Sequence, residues 1–122
     1  MNTQTPENKN EEPVVLLIDD SIDVHRLLAA RLRSEPIQLI CASTGADGLE
    51  IANQITPAVI LLDLDMPEID GFAVLRQLKD NTDTVEVPVL VLSGLTGTQD
   101  KVTAFDLGAV DYITKPFDII EL

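Results

Sequence analysis

Aromatic residues make up only 3% of the 122 residues and tryptophan is missing, although 45% of the chain is hydrophobic. The core must therefore be built from Leu, Ile, Val and Ala, which suits strands packed under helices. Cysteine occurs once, at Cys41, which excludes an internal disulfide and a cysteine-based zinc site. It stands in the apolar stretch "IQLICA" and reads as a small core residue rather than a reactive thiol. Basic residues are scarce, eight against twenty-one acidic, and a net charge of -13 argues against direct binding of nucleic acid or anionic membrane. No apolar run approaches a membrane span and the N-terminus lacks the apolar block of a signal peptide, so a cytoplasmic location is the expectation. The sole histidine, His25, falls on the flank of a helix, away from the strand tips, and reads as a solvated surface residue.

The length fits one domain with a real core. Residues 1–12, "MNTQTPENKNEE", are polar and aperiodic and read as a flexible leader, with the domain running over 13–122. Short apolar runs then recur: "VVLLI" at 14–18, "IQLICA" at 37–42, "AVILL" at 58–62, "VPVLVL" at 87–92 and "VDYI" at 110–113. Helices are predicted between them. The first, about Ile22 to Ser34, carries Val24, Leu27, Leu28 and Leu32 at helical spacing, with Arg31 in the stripe turning its charge outward. "TGAD" at 44–47 fits a capping box opening a second helix through Ala52, and Asp70 can cap a third running to Lys79. A fourth, Thr98 to Leu107, ends at Gly108 and has few large apolar residues, so it should be the least firmly held. Alternating strands and helices, with the strands apolar throughout, imply a doubly wound α/β sandwich around a parallel sheet. Ligands bind such folds outside the carboxyl ends of the strands.

Polar residues collect at those ends. "VVLLI" runs into Asp19 and Asp20, "AVILL" into Asp63, "VPVLVL" into Ser93, and "VDYI" is followed by Lys115. If the tips converge, three carboxylates share one pocket and repel one another unless a cation intervenes. All-oxygen ligands without His or Cys select a hard ion, and a partly furnished site suits Mg²⁺ completed by water and a phosphoryl group. Lys115 then serves as a point charge and Ser93 as a hydroxyl donor for phosphoryl oxygens, while a carboxylate can act as nucleophile. In "LLDLDMPEIDG", a stiff strand fixes Asp63, and Pro67 and Gly71 bend the chain so that a carbonyl near Asp65 can face the metal.

Four segments in this order resemble the receiver domains of two-component response regulators: "LLIDDS", "VILLDLDMPEIDG", "PVLVLSG" and "GAVDYITKPF". The resemblance runs from about Val14 to Phe117. It implies a flavodoxin-like, five-stranded sheet of order 2-1-3-4-5, with Asp63 accepting a phosphoryl group from a sensor histidine kinase or phosphotransfer protein. It further implies that Asp20, Asp63 and the Asp65 carbonyl bind Mg²⁺, with Asp19 acting largely through water. Ser93 and Lys115 would contact the phosphoryl oxygens, Lys115 being fixed by a cis bond to Pro116. Ser93 and Tyr112 would be the switch pair, reshaping the surface of the fourth helix and fifth strand, a face on which two copies can pair. Such a domain catalyses only its own phosphorylation and dephosphorylation.

Two features depart from the family pattern. Asp65 places a second acid two residues after the acceptor, where it bears on the lifetime of the phosphorylated state. The chain stops in "FDIIEL", where the family has a full fifth helix, so the expectation is a fragment with a truncated helix, an undercovered sheet flank and an output domain beyond Leu122. Plainer roles compete at each position. Asp19 or Asp20 could cap the first helix, Lys115 could be a surface lysine, Ser93 a turn residue and Tyr112 a rim residue. A haloacid-dehalogenase-type phosphohydrolase also uses a "DxD" nucleophile, matched by Asp63 and Asp65, but places its second acidic pair after the lysine. A receiver-like scaffold that is never phosphorylated is the third reading.

Overall fold

A computed structural model of the chain describes residues 12–66, 71–94 and 98–115. Five strands and four helices alternate: β1 (Val14–Ile18), α1 (Ile22–Leu32), β2 (Gln38–Ala42), α2 (Gly45–Ile55), β3 (Val59–Asp63), α3 (Gly71–Asp80), β4 (Val89–Ser93), α4 (Thr98–Asp106) and β5 (Asp111–Thr114). All strands pair in parallel in the order β2-β1-β3-β4-β5. Every apolar run becomes a strand, and the central strands are almost wholly buried, as a sheet covered on both faces requires. The doubly wound, flavodoxin-like fold is the one expected.

Alternation within the strands splits the core in two. Leu16, Ile18, Ile60, Leu62, Val89 and Val91 face α2, α3 and α4, sharing a cluster with Ala52, Val74, Leu75, Leu78 and Ala104. Val15, Leu17, Leu61, Leu92 and Ile113 face the opposite side and share a cluster with Leu28 of α1. Beside α1 a groove of about 480 Å³ is lined by Val15, Leu28, Arg31, Ile37, Leu61 and Leu90 among others. The expected leader up to residue 11, the expected Asp70 cap, the Lys115–Pro116 bond and the expected fifth helix lie outside the described residues.

Local signals hold with shifts at the ends. Thr44 caps α2, its Oγ1 accepting from the Asp47 N–H at 3.1 Å. The helix runs on to Ile55, three residues past Ala52, while α1 stops at Leu32 instead of Ser34. Two side chains are corrected. Leu27 is 40% exposed, leaving Leu28 as the one buried residue of α1. Cys41 is exposed, not a core residue, because β2 is an edge strand whose apolar run is open along one side. Its partial cover still pushes the thiol up, away from thiolate reactivity. Among the described residues no helix is long and apolar enough to cross a membrane.

Candidate functional site

The parallel register aligns the strand tips. Ile18 pairs with Leu62, Asp63 with Leu92, and Ser93 with Thr114, so the residues that end or follow these strands meet on one rim. Asp19 and Ser93 are fully buried and Asp63 is 1% exposed, whereas Asp20 points to solvent. The carboxylates of Asp19, Asp20 and Asp63 each offer an oxygen within 4.8 Å of the others. An all-oxygen donor set of this kind fits a hard divalent cation, and with Asp20 at the open edge the cluster has room for further ligands from solvent.

Lys115 stands in for a cation inside the cluster. Its ammonium lies 2.9 Å from Asp19 Oδ2 and 3.4 Å from Asp63 Oδ1, and its own N–H donates to the Ser93 carbonyl at 2.6 Å. Burial alone would lower the lysine, yet the hydrogen bond and charge of Asp19, followed by Asp63, raise it and keep it protonated. Asp63 goes the opposite way for a carboxylate, pushed up to about 6. Burial is the main cause, and the charges of Asp19 and Asp65 add to it against the Asp65 N–H and the Lys115 ammonium. A buried carboxylate raised toward neutrality beside two other acids marks a site built to receive positive charge.

The β1–α1 turn is fixed from several sides. The Asp19 N–H donates to the Ala42 carbonyl at 3.0 Å, and Asp19 Oδ1 accepts from the Ser21 N–H at 2.9 Å. The cap of α1 is Ser21, whose hydroxyl accepts from the Val24 N–H at 3.3 Å, so neither Asp19 nor Asp20 is spent on capping. His25 corrects its expected place on a remote surface. Its Nε2 lies 2.6 Å from the Asp19 carbonyl, and since a carbonyl only accepts, Nε2 carries the proton. Helical phase put His25 on the flank of α1. It did not show that one turn of helix brings that flank over the end of β1.

Asp65 is tied to both neighbouring strand tips. Its N–H donates to Asp63 Oδ1 at 2.9 Å, while its side chain accepts from Ser93 Oγ at 3.1 Å and from the Gly94 N–H at 2.8 Å. The sequence places this acid over the site but gives no sign of those two bonds. Tyr112 is half-buried in β5 with the Lys101 ammonium of α4 5.8 Å from its ring centre. Gly71 packs the start of α3 against the end of β3: a Cβ there would overlap the Leu64 backbone and lie 2.9 Å from the Asp63 carbonyl oxygen.

The family model for the response regulator receiver domain matches residues 15–122. The chain is a receiver domain. It is 40% identical over 110 residues to the DNA-binding dual master transcriptional regulator RpaA of Synechocystis, covering 90% of this chain and 46% of RpaA. The chemotaxis protein CheY4 of Vibrio cholerae superposes with a TM-score of 0.83 at 26% identity, covering 89% of this chain and 91% of CheY4. The manganese-bound form of response regulator Rcp1 superposes with a TM-score of 0.77 at 30% identity, covering 90% of this chain and 86% of Rcp1. The chain spans less than half the length of curated relatives such as RpaA. The match decides for the receiver over the phosphohydrolase: receiver domains are signalling modules of two-component systems that work with histidine kinases or phosphotransfer proteins. Receiver domains generally bind Mg²⁺ at an acidic cluster, and this one presents Asp19, Asp20 and Asp63.

Proposed function

We propose that this receiver domain is a phosphorylation-activated switch with Asp63 as phosphoacceptor. The observation that carries the reading is the setting of Asp63: buried at the tip of β3, within reach of the Lys115 ammonium and clustered with Asp19 and Asp20. The donor is a phosphohistidine of a sensor kinase or phosphotransfer protein. An Asp63 oxygen attacks phosphorus, the P–N bond breaks, and the imidazole leaves with the electron pair. Asp20, Asp63 and the Asp65 carbonyl would hold Mg²⁺, with Asp19 acting largely through water. When bound, the ion supplies the positive charge that lets the carboxylates ionise together beside a phosphoryl group. The manganese-bound form of Rcp1 supports a divalent ion here.

Lys115 meets one phosphoryl oxygen and the Ser93 hydroxyl another. Removing Lys115 from its bridge to Asp19 and Asp63, and turning Ser93 inward, alters the tip of β5 and that of β4, its one neighbour in the sheet. Tyr112 then leaves Lys101 and rotates inward, reshaping the face of α4 and β5. Val102, Phe105 and Val110 on that side are 44%, 47% and 57% exposed, which supports its use in pairing two copies or in reaching an output domain elsewhere in a longer chain. In the test, the domain is incubated with Mg²⁺ and a small acyl phosphate, and the modified residue is mapped by mass spectrometry. One phosphoryl group is expected on Asp63 and none on Asp63→Asn. Equal labelling of the two proteins overturns the assignment.

A further inference from the structure

We propose that the Asp65 carboxylate is a latch that keeps Ser93 and Gly94 engaged until Asp63 is phosphorylated, an inference that rests on the phosphoacceptor reading. Two donors from consecutive residues at the tip of β4, the Ser93 hydroxyl at 3.1 Å and the Gly94 N–H at 2.8 Å, converge on the two oxygens of one carboxylate. That carboxylate belongs to a residue whose main-chain N–H is already bonded to Asp63. Asp65 therefore connects the acceptor to the groups that must answer it.

A hydroxyl has a single hydrogen to donate. While it serves Asp65 Oδ1 it cannot serve a phosphoryl oxygen, so activation requires this bond to break. Charge supplies the release. Asp65 stands two residues from Asp63, with its main-chain N–H 2.9 Å from Asp63 Oδ1, so the two side chains carry their charges side by side. Phosphorylation turns a singly charged carboxylate into an acyl phosphate of charge about -2, as for other phosphorylated side chains. Repulsion of Asp65 thus grows at the moment Ser93 gains a competing acceptor. Without a phosphoryl group, both effects favour the latched arrangement, and the latch sets the threshold for switching. Asp65 is exposed, so its removal opens no cavity and exchanges its hydrogen bonds for water.

The test uses the whole 122-residue chain and the tetrahedral phosphoryl mimic beryllium trifluoride with Mg²⁺, its affinity measured calorimetrically. Opening a hydrogen bond to a charged acceptor at a half-open site weakens binding, so Asp65→Ala is expected to bind about 5- to 20-fold tighter than wild type. In a Ser93→Ala background the same substitution should gain about 2-fold or less, because the latched hydroxyl is already gone. An equal gain in both backgrounds would mean that Asp65 acts by charge alone, and no gain in either would mean that it holds nothing back; each overturns the latch. Binding by wild type that disappears in Asp63→Asn upholds the phosphoacceptor reading whichever way the cycle turns out. No binding by wild type takes down that reading and the latch together. Amide spectra of every variant establish that it is folded.

Discussion

Replacing Asp63 with Asn should make the domain more stable, although the residue is buried and contacts Lys115. The carboxyl titrates at about 6 in the fold against an ordinary value of 3.8, chiefly because burial disfavours its charge. Holding it ionised at neutral pH then costs up to about 3 kcal/mol. That cost is already net of the attraction of Lys115, 3.4 Å from Asp63 Oδ1; burying the carboxamide that takes its place gives back part of the gain and leaves about 1–2 kcal/mol. For a domain of this size that is a rise in Tm of roughly 4–8 °C. The sign sets the pH dependence. A carboxyl raised in the folded state binds its proton more tightly there than in the unfolded chain, so wild type loses stability as pH climbs from about 4 through about 6 and loses no more above. The Asp63→Asn variant lacks that slope, and the two stability curves should converge in acid. Mg²⁺, by neutralising the same charge, should raise the Tm of wild type more than that of the variant. Thermal unfolding followed by circular dichroism, from about pH 4.5 to 8 with and without Mg²⁺, measures all three effects. A variant no more stable than wild type at neutral pH, or a gap as wide in acid as above pH 7, would refute the reasoning.

Two other substitutions probe the frame of the site. Gly71→Ala should cost about 2–3 kcal/mol in denaturant unfolding, because its Cβ meets fixed backbone of Leu64 and Asp63 rather than a movable side chain; a loss within about 0.5 kcal/mol would show that α3 shifts freely against β3. Lys115→Met leaves Asp19 and Asp63 without their ammonium and should cost about 1–3 kcal/mol at neutral pH, much of it recovered on adding Mg²⁺, whereas a loss indifferent to Mg²⁺ would argue that the acids are not a cation site.

Most of the architecture was legible because each buried parallel strand is an uninterrupted apolar run, and each run at the centre of the sheet is followed by a residue with a chemical handle. Asp63 and Ser93 needed no tertiary information beyond the rule that strand ends are where ligands sit. Edge effects were not legible in the local apolar pattern and followed only from the strand order that the family resemblance implies. "IQLICA" reads like "VPVLVL", and only the sheet order shows that Cys41 lies on an outer strand while Val91 is enclosed. Cross-element contacts of polar side chains were equally hidden. His25 reaches back to the Asp19 carbonyl and Asp65 reaches across 28 residues to Ser93, and neither bond leaves a trace in periodicity or composition. Leu27 shows that a helical stripe can be wider than the surface it covers.

The backbone of Ser93 is held in the ladder between β4 and β5, where its carbonyl accepts the Lys115 N–H. Its side chain can therefore reorient only by torsion about a single bond, inside packing that leaves it no exposed surface. That hop must wait for its surroundings to give way, which couples the tempo of this module to the loosening of the groups packed around one bond.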